Sequence, residues 1–181
     1  QATKEAMAGL LSIGADVPMC VTCAPARVRG IGEDIVPVHG LPDLPVVLVN
    51  PRVAVPTGAV FGALERRDNP PMEDLPTDLS DRAGLLGWLA RQRNDLEAPA
   101  SARAPEIGQV LDALRDTDGC RLARMSGSGA TCFALYDVDA AASASALSLR
   151  SAQPGWWVEA TRLDGARHAD PCSLQGAANP A

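Results

Sequence analysis

Two short apolar runs, Cys120–Met125 and Ala130–Tyr136, stand on either side of Ser126-Gly127-Ser128-Gly129. A glycine-rich turn this short reverses the chain at once, so the runs pair as neighbouring antiparallel strands. Whatever else the chain forms must then be laid around that pair. The turn also has a second reading. Glycines separated by one small residue let the backbone approach an anion and aim N–H groups at it. A phosphate cradle and a plain hairpin connection both fit these residues.

The segments before and after the hairpin supply the rest of the architecture. Residues 2–12 place Ala6, Met7, Leu10 and Leu11 on one face and read as the end of a helix, which Gly14 stops. The stretch Val17–Val38 reads as β-rich, with turns near Pro25 and at Gly30-Ile31-Gly32. Pro45–Val49 is a continuous apolar run bounded by prolines, hence a buried strand. Helices are expected over 56–65, 81–93 and 104–116. In the first, Thr57 can serve as cap, and Val60, Phe61 and Leu64 share a face. The acidic segment 67–80, broken by Pro70, Pro71 and Pro76, reads as an exposed loop. An alanine-rich helix over 137–152 and a strand over 156–161 follow the hairpin, and 164–181 is a loose tail without periodicity. The order of elements implies an α+β domain, a mostly antiparallel sheet with helices on one face. Aromatics are 3% of the chain against 46% apolar residues, so Ala, Val and Leu must build its core.

Several chemistries are excluded or weakened. A net charge of -6 and a pI near 4.8 argue against nucleic-acid and anionic-membrane partners. No apolar run approaches a membrane span. Five cysteines, an odd number set mostly in apolar runs, suit reduced thiols in the cytoplasm. The glycine turn is no dinucleotide fingerprint, because Cys132 stands where glycine or alanine is needed and a strand follows where a helix should. A P-loop is excluded as well: Lys4 is the only lysine, and no glycine precedes it. Cys20 and Cys23 have zinc-ligand spacing without a second pair, and on a strand they would face opposite sides, so no metal site is expected. His39 and His168 lie in loop-like sequence with no nucleophile motif near them. Asp16, in Gly14-Ala15-Asp16-Val17-Pro18, falls at an expected helix–strand junction among apolar neighbours. Desolvation there would raise its pKa and suit it to general-base work. A turn aspartate bonding to backbone N–H groups is the other reading.

Taken in order, five runs resemble one family. They are Gly14-Ala15-Asp16-Val17-Pro18, Arg29-Gly30-Ile31-Gly32-Glu33, Pro56-Thr57 with Phe61, Asn94-Asp95-Leu96-Glu97, and Ser126-Gly127-Ser128-Gly129-Ala130. Over about residues 5–163 the chain resembles the 4-diphosphocytidyl-2-C-methyl-D-erythritol kinases, of the GHMP superfamily with galactokinase, homoserine kinase, mevalonate kinase and phosphomevalonate kinase. The resemblance implies that residues 1–40 are the end of a GHMP N-terminal domain. It makes 41–163 the GHMP C-terminal domain with a ferredoxin-like sheet, and 164–181 a tail. It further implies phosphorylation of the substrate's 2-hydroxyl by ATP, with Mg2+, in non-mevalonate isoprenoid precursor biosynthesis.

Residue by residue, Asp16 matches the family's catalytic aspartate, which accepts the proton of the attacking hydroxyl. Thr57 and Phe61 match positions lining the cytidine pocket, where an aromatic face can stack on the base. Phe61 reads equally well as a core residue of its helix. Gly127, Ser128, Gly129 and Ala130 match the superfamily's third motif, a loop near the phosphates and substrate. Asn94–Glu97 is assigned to helix capping. The family's lysine beside the reacting hydroxyl and its Gly-Gly-Ser-Ser-type ATP loop have no match here. The chain is therefore expected to be a C-terminal portion, nearly inactive alone, with an apolar face exposed around residues 5–25. A different GHMP small-molecule kinase, or a non-catalytic α+β binding module, is the alternative.

Overall fold

The computed structural model describes residues 9–10, 12–14, 16–22 and 24–165. Lys4, Cys23, His168, Cys172, the expected tail beyond residue 165 and the first turns of the expected N-terminal helix lie outside these residues. The chain divides into two units, Gln1–Pro42 with Asp164–Ala181, and Asp43–Leu163.

In the first unit, the Gly14 N–H donates to Leu10 O at 3.3 Å and closes the helical turn before it. The β-rich expectation for Val17–Val38 is overturned at its start, since Val17–Thr22 is an α-helix, α1. The Cys20 N–H donates to Asp16 O at 3.1 Å, the four-residue spacing of a helix. Pro18 sits in the first turn, where a proline removes no intrahelical bond, so it does not oppose this helix as it would a central strand. Cys20 thus lies on a helix, and the strand argument against the Cys20/Cys23 pair does not apply. The β expectation holds from Ala26 on. Strand β1 (Ala26–Arg29) pairs antiparallel with β2 (Asp34–Pro37), Ala26 opposite Pro37. Gly30 and Gly32 turn the hairpin with φ of 66° and 107°.

In the second unit the elements run β3 (Leu44–Asn50), α2 (Thr57–Gly62), α3 (Arg82–Arg91), α4 (Glu97–Arg103), α5 (Pro105–Arg115), β4 (Cys120–Met125), β5 (Cys132–Tyr136), α6 (Asp139–Ala152) and β6 (Trp157–Leu163). Its sheet has the order β4-β5-β3-β6, antiparallel at every pairing. With α5 and α6 as its two crossovers, this is the ferredoxin-like split β-α-β arrangement. Helix α4 is the element of this unit that the pattern missed. Pro99 in Glu97-Ala98-Pro99 looks like a breaker, yet it falls in the first turn of α4.

The core on one face of the sheet joins Val47, Val49, Cys132, Ala134 and Tyr136 to Ile107, Val110, Leu111 and Leu114 of α5 and to Ala142, Ala146 and Leu149 of α6. The opposite face is covered too, contrary to the expectation of helices on one face only. Val46 and Leu135, which alternate with the core residues, are also buried. Arg124, of the same face of β4, donates to Leu89 O at 3.0 Å and Gln92 O at 2.6 Å at the end of α3. Strand β3 is a near-continuous apolar run because it is buried on both sides.

Candidate active-site loop

The turn between β4 and β5 is a wide loop held from three directions. Within it, the Ser126 N–H donates to Thr131 O at 2.9 Å and the Gly129 N–H to Ser126 O at 3.0 Å. Gly127 and Gly129 have φ of 54° and 87°, in the left-handed region that favours glycine. At Gly129 space is as demanding as conformation: a Cβ there would come within 2.8 Å of Met125 Sδ and 3.1 Å of Ile107 Cδ1. Among the described residues, the N–H groups of Gly127, Ser128 and Ala130 donate to no protein atom. Three such donors in one short glycine loop keep the cradle reading open beside the plain connection.

The first hold comes from β3. Asn50 Nδ2 donates to Thr131 Oγ1 at 2.8 Å, while Asn50 Oδ1 accepts from the Arg52 N–H at 2.7 Å. The second comes from α2. Thr57 does not cap that helix; Pro56 holds the cap position without a side-chain bond. The Thr57 hydroxyl instead lies 2.9 Å from Ser128 Oγ, within hydrogen-bond distance. Phe61, one turn further along the same face, is 50% exposed, whereas its neighbour Val60 is fully buried. The core reading of Phe61 is thereby overturned, and its ring is accessible.

The third hold comes from the segment assigned to capping. Asn94 Oδ1 does accept from the Leu96 N–H at 3.0 Å, an Asx-type turn leading into α4. Its amide nitrogen goes elsewhere, to Met125 O at 3.0 Å and Gly127 O at 2.8 Å. Glu97 Oε2 accepts from the Met125 N–H at 3.1 Å, and Arg115 stands 3.9 Å from Glu97 Oε1. Asn50, Asn94 and Glu97 were missed as site residues. The signal for two of them was the Asn94–Glu97 run itself, polar residues between helices whose partners lie about thirty positions away.

Cys132, just after the loop, is no nucleophile. Burial, with the nearby Glu97 carboxylate as the lesser cause, pushes its thiol up to about 12. Burial pulls the Arg124 guanidinium down, an effect that Glu97 opposes. Asp16 lies in the first unit, exposed in the turn ahead of α1. Among the described residues, no three His, Cys, Asp or Glu side chains gather to hold a metal ion. Nor, among them, is any helix long and apolar enough to cross a membrane.

Residues 72–152, which include Asn94, Glu97 and the whole glycine loop, match the family described as GHMP kinases C terminal. The chain carries a GHMP kinase C-terminal domain.

Proteins similar to the chain extend the match beyond this GHMP domain. The 4-diphosphocytidyl-2-C-methyl-D-erythritol kinase of Roseobacter denitrificans is 51% identical over 154 residues, which are 85% of this chain and 52% of that protein. Its namesake in Cereibacter sphaeroides is 50% identical over 159 residues, 87% of this chain and 57% of that protein. The chain thus spans about half the length of the curated relatives it matches. A crystal structure of 4-(cytidine 5'-diphospho)-2C-methyl-D-erythritol kinase superposes with a TM-score of 0.66 at 34% identity, over 85% of this chain and 56% of that one. Homoserine kinase from Cytophaga hutchinsonii, at 18% identity and a TM-score of 0.56 over 84% of this chain and 52% of that one, shares the fold.

Proposed function

We propose that the protein is an ATP-dependent kinase that phosphorylates the 2-hydroxyl of 4-diphosphocytidyl-2-C-methyl-D-erythritol, in the cytoplasm, as a step of non-mevalonate isoprenoid precursor biosynthesis. The observation that carries this reading is the glycine loop. Three N–H groups without protein partners among the described residues stand beside Thr57, and an accessible aromatic ring lies one helical turn away. That pairing of anion donors with a stacking surface suits a ligand with a diphosphate and a base. The names of the relatives, at 34–51% identity, support this choice of substrate.

In the proposed step the acceptor's 2-hydroxyl oxygen attacks the γ-phosphorus of ATP. Its proton passes to the Asp16 carboxylate, the bond from the γ-phosphorus to the bridging oxygen breaks, and ADP leaves with the electron pair. The backbone N–H groups of Gly127, Ser128 and Ala130 stabilise phosphate charge, Gly129 supplies the left-handed turn between them, and Thr57 and Phe61 hold the cytidine end. Magnesium accompanies the ATP. Residues 1–40 represent the end of the kinase N-terminal domain, and a partner domain supplies the remaining contacts to the nucleotide.

The test is phosphate transfer by the intact protein from ATP to this acceptor, with mevalonate and homoserine as competing acceptors. Selective transfer to the cytidine compound is expected. The Asp16→Asn variant should fold normally and turn over about 10²–10⁴-fold more slowly. Preference for another acceptor would refute the substrate, and near-normal turnover by the variant would remove Asp16 from the mechanism.

A further inference from the structure

We infer that Asn94 is a positioning residue for the reaction, the clamp that holds the glycine loop in its anion-binding shape. This rests on the kinase reading of the loop. Asn94 spans the loop entrance, with a single amide nitrogen shared between the carbonyl oxygens of Met125, the last residue of β4, and Gly127, two residues on. Fixing these two carbonyls on the α4 side fixes the intervening peptides and leaves the loop N–H groups unspent. Glu97, one turn further on, fixes the Met125 N–H, so the same segment grips both polar groups of that residue. Asn94 also lines an open groove of about 690 Å³ with Arg66, Asn69, Asp95 and Arg103. It therefore sits between solvent and loop, not in the apolar core.

The two ends of the Asn94 side chain do different work, and that makes the inference testable. Its Oδ1 holds the turn into α4, whereas its Nδ2 holds the loop. Asn94→Asp keeps the acceptor for the Leu96 N–H but turns the donor into an oxygen facing two carbonyls. Asn94→Ser also keeps an acceptor for the turn and is too short to reach both carbonyls. A purely structural residue would tolerate either substitution, since Asp and Ser serve such turns as well as Asn.

The experiment measures turnover in the intact protein, together with hydrogen exchange of residues 126–131 and thermal midpoints. For both variants we expect faster exchange confined to the loop and a kcat lower by about a hundredfold. KM for the acceptor should stay within about threefold and the midpoint close to wild type. Loop exchange and kcat both unchanged in a folded variant would overturn the inference. So would a general loss of exchange protection throughout the second unit, which would make Asn94 only a fold residue. Should one variant fail to fold, the other decides. If the wild-type protein phosphorylates no acceptor, the kinase reading fails separately, and loop exchange alone still judges the clamp.

Discussion

Arg52 shows how much the neighbourhood of the loop asks of single residues. It follows Pro51 in the turn leaving β3 and has a φ of 61°, a left-handed conformation that a side chain with a Cβ adopts at a cost of about 1–2 kcal/mol. The turn is over-determined by Asn50, which accepts the Arg52 N–H while donating to Thr131. Arg52→Gly should therefore raise stability by about 0.5–1 kcal/mol after glycine's own entropic cost, and Arg52→Val should lower it. Urea unfolding with an unchanged m-value would register both. Cys132 gives a pH signature. Its thiol is raised by burial from 9.0 to about 12, so the folded protein keeps a proton that the unfolded chain releases. Its contribution is fully present below pH 9 and is lost as pH rises from 9 toward 12. Cys120 and Tyr136 are raised in the same direction, also chiefly by burial. Cys132→Ala should flatten the fall of stability between pH 8 and 10.5, and an identical pH slope would exclude this account. At this scale the sequence was legible where a residue's own chemistry decides, as at Gly127 and Gly129. It was silent where a partner decides. Nothing in Thr57-Gly58-Ala59-Val60-Phe61 says that Val60 turns inward, leaving Phe61 exposed.

Among the elements, those with a clean apolar period were read nearly as they fold. Helix α5 places Ile107, Val110, Leu111 and Leu114 one above another, and all four are buried where the helix packs on β4 and β5. Leu114→Ala should cost about 2–5 kcal/mol. Leu147→Ala, in α6 but 63% exposed, should change stability by less than about 0.5 kcal/mol. Denaturant midpoints of the two variants separate a helix held by packing from one held by propensity. The misread elements share a cause. Both α1 and α4 are short helices with a proline in the first turn, at Pro18 and Pro99. Proline there punctuates the sequence without breaking the helix, so local pattern suggests a strand or a loop.

At the level of the whole molecule, the two units differ in how they satisfy their apolar residues. The second has a continuous core over Asp43–Leu163. The first exposes Ile13, Val21, Ile31 and Val36. Sedimentation of this chain on its own should show concentration-dependent association through that surface, reduced by Ile31→Lys with Val36→Lys, whereas a monodisperse wild-type monomer would contradict the expectation. The sequence by itself determined the α+β class, the antiparallel hairpin and the glycine loop. Those features follow from apolar period and turn chemistry within a dozen residues, where neighbours along the chain are neighbours in space. Only the tertiary structure decided what holds the loop: Thr57 against Ser128, 71 positions apart, and Asn94 against Gly127, 33 apart. A hydrogen bond between distant residues leaves no periodic trace in a sequence. It exists because α2 and the turn into α4 are carried by the packed core to the same end of the sheet as the loop.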